Sequence, residues 1–113
     1  MSRPRRGEIW LVDFGTPVGR EQGGRRPAVT VSVDSINEGR SGIVVVVPCT
    51  TTQRWLASHI ALDPSTSGLD DVTYAKCEDI KSVSDERLGS RLGHAPLDAM
   101  FHITRSLRIL IDA

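Results

Sequence analysis

The sequence predicts a small, mainly β domain with a C-terminal helix, and three observations carry that reading. Apolar residues come in short runs rich in Val, Ile and Thr, divided by clusters of Gly, Pro, Ser and Asp. Apolar spacing of three and four residues is clearest near the end of the chain. The 113 residues suffice for one domain, residues 1–113, around one core, and are too few for two.

The elements follow in order. Residues 7–14, GEIWLVDF, alternate in part and read as a first strand, and GTPVGREQGG then supplies turn chemistry for a long loop. PAVTVSV, residues 27–33, is a second strand with its proline at the leading position, where a missing N–H is tolerated. Residues 34–42 form a polar connection with room for one helical turn. IVVVVPCTTT, residues 43–52, opens with β-formers that do not alternate, the pattern of a strand buried on both faces and so of the sheet's centre.

SHIALD (58–63) and VTYAKCEDI (72–80) are further strands, separated by the turn-rich PSTSG. In SDERLGSRLG, Ser84 suits the N-cap of a helical turn whose first residues are Asp85 and Glu86. After Pro96, the residues Leu97, Met100, Phe101, Thr104, Leu107 and Ile111 recur at helical spacing, with Asp98, Arg105 and Arg108 mostly on the polar side. Five or so short antiparallel strands need closure or a helical cover for their edges, so the expected fold is a small barrel or a strongly bent sheet.

Charge balances at zero, with 14 basic and 14 acidic side chains, so composition alone does not announce a nucleic-acid binder. The distribution is less even. Arg3, Arg5, Arg6, Arg20, Arg25 and Arg26 crowd the first quarter, and acids dominate later. Cys49 and Cys77 sit in apolar or strand-like runs without a Cys-x-x-Cys pair, which points to buried thiols in a reducing cytoplasm. No apolar run is long enough to cross a membrane and no signal-peptide core follows the basic N-terminus, so no membrane association is expected.

The most unusual stretch is GREQGGRRPAV, residues 19–29. Gly23 and Gly24 allow close backbone approach, and Arg25 and Arg26 stand where the chain re-enters the sheet, with Pro27 restricting its direction. Arginine forks suit phosphate oxygens, so the loop suits a polyanion, although charge runs are more often simply solvated. Thr50, Thr51 and Thr52 end the central strand and offer hydroxyls either to phosphate or to a turn. His59, His94 and His102 lack ligand spacing, so no metal and no cofactor are expected. Asp70–Asp71 and Glu78–Asp79 read as solvated acids. Trp10 reads as core, whereas Trp55, in a polar loop, is the candidate to stack on a base.

Taken together, RRGEIWLVDF, GREQGGRRPAV, the Asn37 that follows the second strand, VVVPCTT and CEDIKSVSDERL resemble the MazF/PemK (Kid) family of toxin–antitoxin ribonucleases, over residues 5–111 and in the same order. The resemblance implies an SH3-like barrel of the PemK/CcdB type and a homodimer. It implies metal-independent, sequence-specific cleavage of single-stranded RNA (messenger, ribosomal or transfer) through the 2′-OH, leaving a 2′,3′-cyclic phosphate and a 5′-OH and arresting translation. It also implies a cognate antitoxin whose disordered C-terminal segment covers the RNA site.

By motif, Arg26 and Thr50 match the family's catalytic pair, and Glu21 and Gln22 match its loop residues near the scissile phosphate. Glu21 is the candidate general base. Arg20, Gln22, Gly23, Arg25, Asn37, Thr51 and Thr52 complete the expected RNA-binding set. Arg20 stands where many relatives carry Ser or a similar small residue. Two rival readings share the fold: a CcdB-like gyrase-binding toxin without catalysis, and a catalytically idle RNA-binding barrel. The end of this chain, LRILIDA, lacks the Trp with which CcdB-like toxins meet gyrase.

Overall fold

Strand β1 (Glu8–Asp13) and strand β2 (Arg25–Thr30) form an antiparallel hairpin around the arginine loop, with Val12 opposite Arg26 and Asp13 opposite Arg25. The structure, a computed structural model, describes residues 3–113. β2 begins two residues before the predicted strand, because both arginines pair with β1 and extend the ladder. It ends at Thr30, beyond which the chain turns into the short helix α1 (Asp34–Asn37).

Strand β3 (Ile43–Thr50) is the axis of the sheet. One edge pairs with β2, Ala28 opposite Pro48 and Thr30 opposite Val46. The other edge serves two partners in succession. Residues 43–46 pair with β6 (Lys81–Ser84), and Cys49 and Thr50 pair with β5 (Thr73–Lys76). A strand that changes partner along one edge bends the sheet around itself. β4 (His59–Leu62) lies outside β5, and β7 (Leu88–His94) outside β1. All pairings are antiparallel, giving the expected bent, barrel-like sheet with the order β4-β5-β3-β2-β1-β7 and β6 on β3.

Among the described residues seven strands replace the expected five or so. Residues 72–80 break at Lys76 into a 3-10 turn, Cys77–Asp79, before β6 resumes. The predicted cap at Ser84 is present: its hydroxyl accepts the Glu86 N–H over a single 3-10 turn, Asp85–Arg87, after which the chain enters β7. The turn-rich PSTSG is the one-turn helix α2 (Pro64–Ser67), capped by Asp63 and ended by Gly68 at φ 86°.

The apolar residues divide between the two faces of the sheet instead of forming one core. Ile9, Val29, Val47, Cys49, Leu62 and Ala75 pack beneath helix α3 (Leu97–Leu110) with Met100 and Ile103. Trp10, Val12, Ala28, Val44, Val46 and Val83 fill the concave side. This two-sided burial is why β3 shows no alternation. Cys49 and Cys77 are buried and free, and burial pushes the Cys49 thiol up to about 12.

The buried stripe of α3 also differs from its periodicity. Ala99, Met100 and Ile103 are buried, with Leu107 packed at the margin, whereas Leu97, Phe101 and Ile111 are exposed. Ala99 is too small to weigh in an apolar count, yet its size lets the helix approach the sheet.

Gly93 on β7 lies against the backbone of α2, and a methyl group there would collide with the Ser67 carbonyl oxygen. Gly93→Ala is therefore expected to lower stability by about 1–3 kcal/mol, as overpacking against rigid backbone does. Denaturant melts of the two proteins measure this, and equal midpoints would mean that β7 does not seat on α2.

Candidate active site

In an antiparallel sheet, residues directly opposite one another share a face, and side chains two apart along a strand do too. Carried two residues further, the register Ala28–Pro48 sets Arg26 level with Thr50. Thr50 is opposite Tyr74, Tyr74 is opposite Ala61, and Lys76 is opposite His59. The sheet therefore lines up Arg26, Thr50, Tyr74 and Ala61 across four strands, with Lys76 and His59 one step along. This face continues the concave side filled by Val12, Ala28 and Val46.

The arginine loop is folded onto the end of this row. Its base is closed by Phe14 N–H to the Gly24 carbonyl (2.9 Å) and Gly24 N–H to the Gly15 carbonyl (2.8 Å), with Gly24 at φ 74°. That left-handed backbone is open to glycine at little cost. Gly23 has a different reason: its α-carbon abuts the Pro17 ring, where any side chain would collide. Its carbonyl accepts the Arg26 Nε–H at 2.8 Å, which orients the guanidinium and leaves both terminal NH2 groups without a protein acceptor among the described residues.

The acid and amide of the loop are held from the β5–β6 side. Gln22 donates its backbone N–H to Asp79 Oδ2 (2.9 Å) and accepts Lys76 Nζ on its side-chain oxygen (2.9 Å). Lys76 and Asp79 pair at 3.4 Å, both largely buried. Glu21 lies 3.7 Å from Lys81 Nζ with about half its side chain in water. Thr50 is buried, and its hydroxyl accepts the Thr52 N–H at 3.2 Å while keeping its own proton to donate. Arg20, Arg25, Thr51 and Thr52 are exposed, but Arg25, next to Arg26 on β2, belongs to the opposite face of the sheet, and Thr51 lines a separate hollow with Pro27 and Thr73, so neither of these two joins the centre.

Asn37 does not join the cluster. It is buried beyond the far end of β2, with its amide spent on the Ser32 hydroxyl and carbonyl. The Ser32 hydroxyl in turn meets Val45, five residues along β3 from Thr50 and so about 17 Å away at strand rise. Its position in the sequence, just after a strand, could not tell an exposed ligand from a buried strut.

Lys76, Asp79, Lys81 and Tyr74 were missed. The signal the sequence offers is strand alternation, which puts Tyr74 and Lys76 of TYAKC on one face and Thr73, Ala75 and Cys77 on the other. The pair Glu78–Asp79, expected to be solvated, is engaged on both members because it sits on a 3-10 turn rather than a strand. Glu78 accepts His59 Nε2–H (2.7 Å) and the Ser58 hydroxyl (2.9 Å). Partial burial acts to raise its pKa, but the hydrogen bonds from His59, its own backbone and Ser58, with the His59 charge, hold it below the ordinary value.

The bent antiparallel sheet, with a basic, hydroxyl-bearing face and a C-terminal helix on its other side, defines a small mainly β protein. Among the described residues no helix is long and apolar enough to cross a membrane, and no group of three metal-ligating side chains gathers. The family model for the PemK-like, MazF-like toxin of type II toxin-antitoxin systems matches residues 5–111, and the chain belongs to that family.

Among its relatives, it is 34% identical to endoribonuclease MazF9 of Mycobacterium tuberculosis over 114 aligned residues, covering 96% of each chain. A mycobacterial endoribonuclease solved in complex with its cognate antitoxin superposes with a TM-score of 0.81 at 28% identity, over 96% of this chain and 95% of that one. MazF of Deinococcus radiodurans shares the fold over the full length of both chains, with a TM-score of 0.87 at 24% identity.

Removing the Asp79 acceptor with Asp79→Ala is expected to accelerate amide exchange at Gln22 by about 10-fold, since a hydrogen bond to a charged group contributes about 1.5 kcal/mol or more. Unchanged exchange would detach the loop from the β5–β6 turn. For Glu78, a lowered folded pKa means stability that is present above the ordinary carboxylate value of 4.5 and lost as pH falls through the folded value. Glu78→Gln is expected to cost under about 1 kcal/mol at pH 7, because the carboxylate is partly exposed. Melts across acid pH should show the two proteins converging.

Proposed function

We propose that this protein is the toxin of a type II toxin–antitoxin pair and acts as a metal-independent, sequence-selective endoribonuclease on single-stranded RNA. The observation that carries the reading is the strand register that sets Arg26 level with Thr50 on one open face of the sheet. The endoribonucleases among its relatives support it.

RNA supplies its own nucleophile. The 2′-oxygen attacks the adjacent phosphorus while the bond from phosphorus to the 5′-oxygen breaks, giving a 2′,3′-cyclic phosphate and a 5′-hydroxyl. One proton must leave the 2′-OH, one must reach the departing oxygen, and the extra negative charge on phosphorus must be held. Arg26, aimed by the Gly23 carbonyl, offers two free NH2 donors to the non-bridging oxygens. Thr50 donates its hydroxyl proton to the same phosphate and fixes its orientation. A guanidinium is a poor proton donor, so the role of Arg26 is electrostatic rather than proton transfer.

Glu21 is the candidate base. Its half-exposed carboxylate is carried by a loop fixed at Gln22 and stands 3.7 Å from Lys81 Nζ. Arg20 and Thr52 are the exposed candidates for phosphate and ribose contacts, and Gly23 acts through Arg26. The protein works in the cytoplasm, where RNA is available, restrained by a cognate antitoxin of the kind seen on the mycobacterial relative. It forms a homodimer, a reading supported by the exposed apolar end of α3, Ile109 to Ile111.

In excess EDTA, the intact protein is expected to cut a long unstructured RNA at one short motif, and Arg26→Ala and Thr50→Ala each to lower kcat/KM by about 100- to 1,000-fold, as removal of one oxyanion donor does. Primer extension maps the cuts, and the 3′ ends should resist ligation until the cyclic phosphate is opened. An intact protein that cuts none of a varied set of RNAs would sink this reading and turn attention to gyrase.

A further inference from the structure

Beside Thr50, on the side away from Arg26, the same sheet face opens into a cleft of about 410 Å³. Tyr74 and Ala61 line it, with His59 next to them, and the chain leaving Thr50 supplies Gln53 and Trp55 as its other wall. Neither the phosphate chemistry nor the packing of the sheet uses this cleft.

Three observations bear on what fills it. Trp55 has 85% of its surface in water, and its backbone is in the left-handed region at φ 58°, which is unfavourable for a bulky side chain. An indole so exposed buries little apolar surface for the fold. The His59 ring is the reverse: almost wholly buried, and clamped through Nε2 to Glu78, which Ser58 holds in turn. The side of the cleft that faces Trp55 is therefore fixed at His59. Finally, Tyr74 is directly opposite Thr50, about 5 Å away between α-carbons at the spacing of paired strands. A nucleotide whose phosphate meets Thr50 has its base, or its neighbour's, at the mouth of the cleft, with exposed Arg54 beside it for the next phosphate.

We infer that this cleft receives a single unstacked base flanking the scissile phosphate, stacked on Trp55 and Tyr74, and that it sets one position of the recognised sequence. The inference rests on the ribonuclease reading above. Single-stranded RNA is read by splaying bases out onto aromatic side chains, and a cleft with one exposed and one half-buried aromatic wall fits one base and no more of the strand. Trp55 and Tyr74 position the strand and take no part in proton transfer.

The test compares intact protein, Trp55→Phe and Trp55→Ala on oligonucleotides that carry the mapped cleavage motif, each with one abasic site at successive positions around the cut. Intact protein is expected to lose about 10- to 100-fold in kcat/KM at one flanking position, the range for losing one base–aromatic stack. Trp55→Ala should show that loss on the normal substrate, no further loss on that abasic one, and relaxed preference at the same position in a randomised pool; Trp55→Phe should retain most activity. A misfolded Trp55→Ala would lose activity without this position-specific pattern.

If the intact protein cuts RNA but Trp55→Ala keeps both its rate and its abasic profile, the base pocket is overturned and the ribonuclease stands. If that variant cuts normally yet escapes inhibition by a cognate antitoxin, the cleft belongs to a protein partner and the base reading is likewise overturned. Absence of cleavage by the intact protein overturns both.

Discussion

The structure depends on β3 being buried on both faces while holding one register. Val44 and Val46 face the concave side, and Val47 and Cys49 face helix α3. A slip of one residue would exchange these sets and send Thr50 to the opposite face, away from Arg26. Core packing and the candidate catalytic geometry are thus enforced by the same contacts. The strand's change of partner, from β6 to β5, then bends the sheet and exposes the end where Thr50 and Tyr74 lie.

Charge in the arginine loop is organised by the far side of the sheet. Exposed ion pairs such as Glu21–Lys81 contribute little stability by themselves. Gln22 is held differently, by a charged acceptor and a charged donor that are themselves paired and largely buried. This anchor lets a glycine-rich loop present Glu21 and Arg26 in a set relation without a hydrophobic core of its own. Gly23 joins the two parts: its missing side chain admits Pro17, and its carbonyl aims Arg26. The glycines therefore act inside the loop as much as toward a ligand.

The outward face of α3 shows how a small fold divides its apolar surface. The helix has apolar residues over a wider arc than the sheet can cover, so Ala99, Met100 and Ile103 are buried and Leu97, Phe101 and Ile109 are left in water. Arg105 and Arg108 lie between Phe101 and Ile109 on this face, so charge separates the apolar side chains left in water.

The sequence by itself determined the class of fold, the central place of residues 43–50, the helix near the end and the two blocks that hold Arg26 and Thr50. Each of these is encoded locally, by periodicity, by turn residues or by a short motif. What only the tertiary structure decided is which residues meet. Asn37 looked available and is a buried strut, Lys76 and Asp79 looked incidental and hold the loop, and Tyr74 stands opposite Thr50 although 24 residues separate them along the chain. Cross-strand neighbours are set by register over long loops, and no local pattern states a register until both faces of β3 have been packed.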